Sequence, residues 1–261
     1  MSEKITAPKV RAMKGSGRPI VCVTAYDFPT GQLVDRAGVD VVLVGDSVGN
    51  AVLGLPNTLP VTLDQMVHHT AATARGVRRA LLVADLPFGS YQSSVSQAVD
   101  SAVALVKAGA EAVKLEGRYP DQIAAIAAAG IPVMGHVGMT PQSVHAFGGF
   151  RVQGRGGSAE TVMADLRSVA EAGAFSAVVE LVPAAAARRL TESVDIPTIG
   201  IGAGPHCDGQ IQVFYDILGF GEVAFRHAKQ YADARAFFQE GLEAYVREVR
   251  SGEFPTEEHS F

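Results

Sequence analysis

The chain has 261 residues, of which 48% are hydrophobic and 19% charged, enough apolar material for a sizeable globular core. Lys and Arg total 22 against 27 Asp and Glu. The resulting formal net charge of −5 lacks the basic footprint of a nucleic-acid-binding surface, so no nucleic-acid partner is expected.

Cys22 and Cys207 form no CxxC pair and are too few for a disulfide framework; reduced thiols in a cytoplasmic protein are expected. The segment up to Pro19 is charged and has no apolar leader. Residues 122–150 contain no Asp, Glu, Lys or Arg, but Gly130, Pro132, Gly135, Gly138, Pro141, Gly148 and Gly149 interrupt them. A continuous apolar helix of about 20 residues cannot form there, and no membrane partner is expected.

Eight short aliphatic runs follow in chain order: Ile20–Thr24, Asp40–Val44, Leu81–Ala84, Ala112–Leu115, Pro132–Gly135, Ala177–Glu180, Thr198–Ile201 and Ile211–Tyr215. They do not alternate with polar residues, the pattern of parallel strands buried on both faces. Helical stretches lie between them at Thr30–Ala37, Leu63–Arg75, Ser96–Ala108, Asp121–Ala129, Ala159–Ala172 and Ala184–Ser193. Five of these run into a Gly suited to the left-handed helix end. Eight strands with interleaved helices predict an α/β fold, a (β/α)8 TIM barrel, as a single domain over 1–261 with a C-terminal helix (Asp233–Arg250) and an extended tail (Ser251–Phe261). A doubly wound open sheet is the rival. The eighth run is ambiguous, since about ten residues separate it from the seventh and Ile211–Leu218 also suits a helical turn.

A parallel barrel builds its site at the C-terminal strand ends. There the sequence offers Tyr26–Asp27, Gly45–Asp46–Ser47, Asp85, Lys114 with Glu116, His136, Glu180, the run Gly200–Gly204, and Tyr215–Asp216. Any one carboxylate can simply cap a helix. Asp46, Asp85, Glu116 and Glu180 on one rim repel one another and call for a cation, and oxygen-only ligation suits Mg²⁺. Lys114 and Glu116, two residues apart, share a strand face. Lys114 then acts either as a charge partner for an anion or as a Schiff-base amine. His136 either ties down a loop or contacts the reactants. His68 and His69 diverge on a helix and cannot share a metal. The GIGAG run reads as a tight turn or as a phosphate cradle. Residues 146–157, rich in Gly with two Arg and two Phe, read as a lid or an ordinary loop.

Longer strings carry a resemblance. VTAYD (23–27), LVGDSVGN (43–50), LPVTLDQMVHHT (59–70), ADLPFGSY (84–91), VKLEG (113–117), GHVGMTPQSVHAFGGFRVQGRG (135–156), VELVP (179–183), IGIGAGPHCDGQ (199–210) and GEFPTEEHSF (252–261) closely resemble the ketopantoate hydroxymethyltransferase family along essentially the whole chain. The resemblance implies a Mg²⁺-dependent one-carbon transfer from 5,10-methylenetetrahydrofolate to 3-methyl-2-oxobutanoate, giving 2-dehydropantoate in pantothenate biosynthesis. It implies a homo-oligomer, typically a decamer. It places metal ligation on Asp46, Asp85 and Glu116, oxo-acid contacts on Asp46, Ser47, Asp85 and Lys114, and the proton acceptor on Glu180. Two departures stand out. Tyr215 occupies a position where many members have His, and Phe225–Lys229 replaces a Pro-(Lys/Arg)-Phe segment. The barrel also suits mutase- and lyase-type enzymes that hold Mg²⁺ and an oxo acid, and a non-catalytic oxo-acid-binding protein. No Cys sits where such a lyase would need an acid.

Overall fold

The computed structural model describes residues 3–221 and 225–261. Strands β1 (Ile20–Thr24), β2 (Val41–Val44), β3 (Leu81–Asp85), β4 (Ala112–Lys114), β5 (Val133–Gly138), β6 (Ser176–Glu180), β7 (Thr198–Ile201) and β8 (Gly209–Gln212) each pair in parallel with the next. β8 pairs with β1, closing the barrel and excluding an open sheet. The helices are α1 (Ala7–Ala12), α2 (Phe28–Arg36), α3 (Val48–Ala51), α4 (Leu63–Ala74), α5 (Val95–Lys107), α6 (Pro120–Ala128), α7 (Val144–Phe147), α8 (Ala159–Glu171), α9 (Ala184–Glu192), α10 (Phe214–Leu218) and α11 (Ala234–Ser251). By its internal contacts the chain forms two compact units, Met1–Val213 and Phe214–Phe261, and the barrel is the first.

The pleat explains the core. Side chains two apart share a strand face. Ile20 and Cys22, Val41 and Leu43, Leu81 and Val83, then Ala112, Met134, Val178, Ile199 and Ile211 form one buried cluster. Each large aliphatic side chain buried this way contributes about 1.5–3 kcal/mol. Ala7 and Val10 of α1 join the cluster, and the Ile5 amide donates to the Arg79 carbonyl just before β3. This places α1 at the N-terminal end of the barrel, leaving the chemistry to the other end.

Local signals set the helix starts. Asp27 and Thr30 form a reciprocal capping box on α2, and Thr62 with Gln65 does the same on α4. Ser94 caps α5. Asp27, one of the strand-end carboxylates, is therefore a helix cap.

The barrel departs from expectation after β7. Only Gly202–Asp208 separate β7 from β8, and this connection holds no helix. β8 starts at Gly209, two residues before the expected Ile211, and ends at Gln212. Gly209 pairs with Ile20 and Ile199, and a Cβ there would lie 2.4 Å from the Ile20 carbonyl oxygen. A strand that begins Gly-Gln shows no β-branched run at its start, so the expected Ile211–Tyr215 overlaps it only at Ile211–Gln212. Tyr215 and Asp216 consequently lie in α10 and not at a strand end.

In the second unit, Asp233 caps α11 and Gly252 ends it in the left-handed conformation. The tail is not extended. Phe254 packs its ring 5.8 Å from Tyr245 and 4.8 Å from His259, and Glu257–His259 form a 3₁₀ turn. Among the described residues, no helix is long and apolar enough to cross a membrane.

Candidate active site

The inward face changes character along the strands. Above Val83 comes Asp85, above Ala112 come Lys114 and Glu116, above Met134 comes His136, and above Val178 comes Glu180. Each polar group lies an even number of residues beyond an apolar inward one, so each points to the same interior. The barrel thus has an apolar floor and a polar mouth at the C-terminal ends.

The six groups singled out in the sequence converge there. Lys114 Nζ donates to Asp85 Oδ1 at 2.6 Å and lies 3.9 Å from Glu116 Oε1. The Asp46 backbone N–H donates to Asp85 Oδ2 at 3.0 Å. Ser47 Oγ shares a 2.9 Å hydrogen bond with the Tyr26 hydroxyl. Gly45 follows β2 directly, and a Cβ there would sit 2.7 Å from Ser47 Oγ and 3.5 Å from Asp85 Oδ2. Glycine is required so that the Asp46–Ser47 turn can close over Asp85.

His136 lies inside β5, which runs three residues further than its apolar core suggests. Its Nδ1 is 3.4 Å from Glu116 Oε1 and its Nε2 is 3.2 Å from Glu180 Oε2. Both are ion-pair distances, and neither approach is aligned as a hydrogen bond. Glu180 is the most accessible carboxylate of the group, with 17% of its side chain exposed. The residue after it, Leu181, has φ +46°, a costly conformation for a branched side chain. That turn is held by the Leu181 amide bonding to the Ile201 carbonyl and by the Gln153 amide bonding to the Leu181 carbonyl.

Burial and proximity shift the protonation of the group. Asp46 is pushed well above the usual carboxylate range by burial and by the charges of Asp85 and Glu116. Burial also raises Asp85, against the pull of Lys114. Burial acts on Glu116 in the same direction, but His136, Lys114 and the Gln142 amide outweigh it and lower its pKa. Desolvation opposes the Lys114 charge, yet Asp85, Glu116 and Asp46 carry its pKa upward, which favours an ammonium over a free amine. His136 is raised to about 9, because Glu116 and Glu180 overcome burial and the repulsion of Lys114.

Two further residues were not visible as candidates in the sequence. Gln142, in the 3₁₀ turn Pro141–Ser143, donates from Nε2 to Asp46 Oδ2 at 2.9 Å and from its backbone N–H to Glu116 Oε2 at 2.9 Å. Tyr91 donates its hydroxyl to Gln142 Oε1 at 2.7 Å and accepts from the Glu116 amide at 3.1 Å. Neither a primary amide nor a lone tyrosine signals chemistry by composition. Only their position inside TPQS and FGSY, within the familiar strings, hinted at them.

Other candidates resolve into structural roles. His69 Nδ1 donates to the Tyr26 carbonyl at 2.7 Å, and His68 packs edge-on against it on α4. Gly202 and Gly204 take left-handed conformations, and a Cβ on Gly204 would lie 2.5 Å from Ala184 Cβ, so GIGAG forms a close turn. Cys22 belongs to the apolar core, and Cys207 sits in the β7–β8 connection. Within 146–157, Ala146–Phe147 complete α7 and Gly156–Gly157 begin a 3₁₀ turn.

The donor set suits a hard divalent cation. Three buried carboxylates, Asp46, Asp85 and Glu116, stand at adjacent strand ends and could hold such an ion. With Glu180 they set four carboxylates against two cationic groups, Lys114 and His136, a balance that a 2+ charge completes. Among the described residues, no three His, Cys, Asp or Glu side chains stand close enough to hold a metal ion by themselves.

From residue 4 to residue 257 the sequence matches the family model described as ketopantoate hydroxymethyltransferase. The chain belongs to this family. A family relative, the 3-methyl-2-oxobutanoate hydroxymethyltransferase of Aeropyrum pernix, is 55% identical over 260 residues, covering 98% of this chain and 94% of that protein. The enzyme of the same name from Moorella thermoacetica is 53% identical over 263 residues, covering 99% and 98%. Family membership makes the chain a transferase enzyme. Among solved structures, a phosphonopyruvate hydrolase complexed with oxalate and Mg²⁺ superposes with a TM-score of 0.63 at 16% identity, over 97% of this chain and 93% of that one. A 2,3-dimethylmalate lyase gives 0.61 at 16% identity, over 98% and 91%. These two likenesses show that this chain shares their barrel fold.

Proposed function

We propose that the protein transfers a hydroxymethyl group to 3-methyl-2-oxobutanoate, forming 2-dehydropantoate, with 5,10-methylenetetrahydrofolate as donor and Mg²⁺ as cofactor. The single observation that carries this reading is His136 between Glu180 and Glu116, which joins the candidate base and the candidate metal carboxylates in one site. Asp46, Asp85 and Glu116 would hold the ion. When bound, Mg²⁺ would supply Lewis acidity toward the oxo-acid oxygens and make the neighbouring C–H more acidic.

The protein's residues do the rest. Lys114 offsets the substrate carboxylate's charge, and the Ser47 hydroxyl, backed by Tyr26, orients it. Glu180, at the open side of the group, takes the C3 proton. His136, protonated at neutral pH, steadies the Glu180 carboxylate before transfer. Water adds to the donor's methylene carbon as its two C–N bonds break, releasing tetrahydrofolate with both nitrogens protonated and the carbon as formaldehyde. The electron pair left on C3 then forms the new C–C bond to that carbon, and its oxygen takes up a proton, such as the one on Glu180, to become the hydroxyl. Residues 146–157, tied to the Leu181 carbonyl through Gln153, are placed to shield the reacting carbon from bulk water.

A cytoplasmic homo-oligomer, a decamer by family resemblance, is part of the proposal. Its support is apolar surface: Val21 on the outward face of β1 is 48% exposed, and Phe237, Leu242 and Tyr245 of α11 are each more than half exposed.

The test is proton–deuterium exchange at C3 of 3-methyl-2-oxobutanoate, followed by NMR with and without Mg²⁺ and then with methylenetetrahydrofolate. Metal-dependent exchange followed by 2-dehydropantoate supports the whole reading. Exchange without product rejects the folate donor. Folded, metal-loaded protein that gives neither result rejects the function.

A further inference from the structure

Gln142 makes more connections in the site than any role described so far requires. Its side-chain amide has two donor and two acceptor positions, and all four are used. Nε2 donates to Asp46 Oδ2 at 2.9 Å and to the Leu86 carbonyl at 3.0 Å. Oε1 accepts from the Tyr91 hydroxyl at 2.7 Å and from Gln92 Nε2 at 3.2 Å. The surroundings allow one orientation only, since a carboxylate and a carbonyl can only accept and the Gln92 amide nitrogen can only donate. The residue is 6% exposed, so water cannot substitute for a lost partner at low cost.

The same residue also holds a second carboxylate. Its backbone N–H donates to Glu116 Oε2 at 2.9 Å, while Glu116 Oε1 faces His136 and Lys114. Asp46 follows β2 and Glu116 follows β4, on either side of Asp85. A rigid 3₁₀ turn after β5 therefore reaches across β3 and sets two of the three candidate ligands against each other. Tyr91 extends the arrangement. Its hydroxyl accepts from the Glu116 amide at 3.1 Å and approaches both Gln142 Oε1 and the Glu116 carbonyl oxygen, at 2.7 and 3.0 Å. Its single proton serves one acceptor at a time, and the shorter approach is to Gln142.

We infer that Gln142 is the positioning residue of the site: held by Tyr91, it fixes the relative orientation of the Asp46 and Glu116 carboxylates from which the divalent ion and the oxo acid are bound. The inference rests on the proposed metal-dependent reading. It assigns Gln142 no contact with reacting atoms. Ligand-orienting hydrogen bonds of this kind are worth about 10- to 100-fold in metal affinity or activity.

The experiment compares wild type, Gln142→Met, Tyr91→Phe and the double variant. Mn²⁺ alone is titrated by electron paramagnetic resonance, and C3 exchange is measured in parallel with thermal unfolding as the check on folding. Gln142→Met keeps the side chain's length and loses both amide functions. It is expected to weaken Mn²⁺ binding about 10- to 100-fold. Tyr91→Phe is expected to weaken binding less. In the double variant its effect should shrink to the share carried by its direct contact with the Glu116 backbone, because the rest acts through Gln142. A folded Gln142→Met protein with wild-type Mn²⁺ affinity overturns the inference. If that variant fails to fold, Tyr91→Phe decides alone: wild-type affinity there overturns it, and weakened Mn²⁺ binding with unchanged unfolding supports it. Wild-type protein that binds no Mn²⁺ rejects the metal-dependent reading itself, and the inference with it.

Discussion

The Lys114 ammonium lies 2.6 Å from Asp85 Oδ1, and neither side chain is more than 4% exposed. Removing one partner strands the other charge without solvent. Lys114→Met should therefore lower stability by about 3–5 kcal/mol, the usual cost of breaking a buried pair, as read by chemical denaturation. The oxo acid should also bind more weakly. Borohydride added to wild type with the oxo acid should leave the protein mass unchanged, because the pair holds Lys114 charged. A reduced adduct would assign the lysine a covalent role.

Burial and two neighbouring carboxylates disfavour the charged form of Asp46. Asp46→Asn removes that repulsion and retains a group that can accept from Gln142. In chelator, the variant should melt above wild type, each kcal/mol gained appearing as about 2–4 °C. Mn²⁺ binding and C3 exchange should be lost. A lower melting point would show that the carboxylate is stabilising even without a cation.

His136 has its pKa raised to about 9 by the two glutamates it faces. A folded-state pKa above the unfolded value of about 6.5 means that the folded protein binds the proton more tightly. This contribution is complete below about pH 6.5 and disappears as pH rises through about 9. Asp46 and Asp85, also raised, give a slope of the same sign that begins at the ordinary carboxylate value of 3.8, whereas Glu116, lowered, gives the opposite slope only below its ordinary 4.5. Chelated wild type should thus lose stability between pH 6.5 and 9, and His136→Gln should flatten that slope. An unchanged slope would exclude His136 as its source.

Glu180 is the one carboxylate of the group with substantial access to the mouth. Glu180→Gln should retain Mn²⁺ and oxo-acid binding while C3 exchange falls about 100- to 10,000-fold, the range typical of a lost general base. Exchange at the wild-type rate would remove Glu180 from that role.

Gly138 ends β5 at φ +92°, and a Cβ there would lie 2.4 Å from the Glu180 carbonyl oxygen and 2.9 Å from Val182 Cγ2. Gly138→Ala must strain its own backbone, at about 1–2 kcal/mol, and displace the strand that carries Glu180. Both the unfolding midpoint and the exchange rate should fall. Loss of stability with full exchange would show that the base tolerates the displacement.

Much of this architecture can be read along the chain. β1 and β7 coincide with their apolar runs, and five of the other six runs overlap their strands closely, because parallel strands buried on both faces leave an unbroken aliphatic signature. β8 escaped that rule, since its first residue is a glycine admitted by a close backbone approach that depends on β1. The tail escaped for a similar reason: ring contacts within the second unit, not local propensity, turn it back on itself.

The site divides along the same line. The sequence by itself determined which charged groups stand at strand ends, and two-residue spacing determined that Lys114 and Glu116 share a face, because strand geometry is local and periodic. Only the tertiary structure decided which of those groups meet. Asp27 went to a helix cap and Tyr215 to α10, while His136 came between Glu116 and Glu180. Gln142 reached Asp46, 96 positions away in the chain. Closing the barrel brings strand ends from distant parts of the chain to one rim, and no pattern along the chain encodes a distance across that rim.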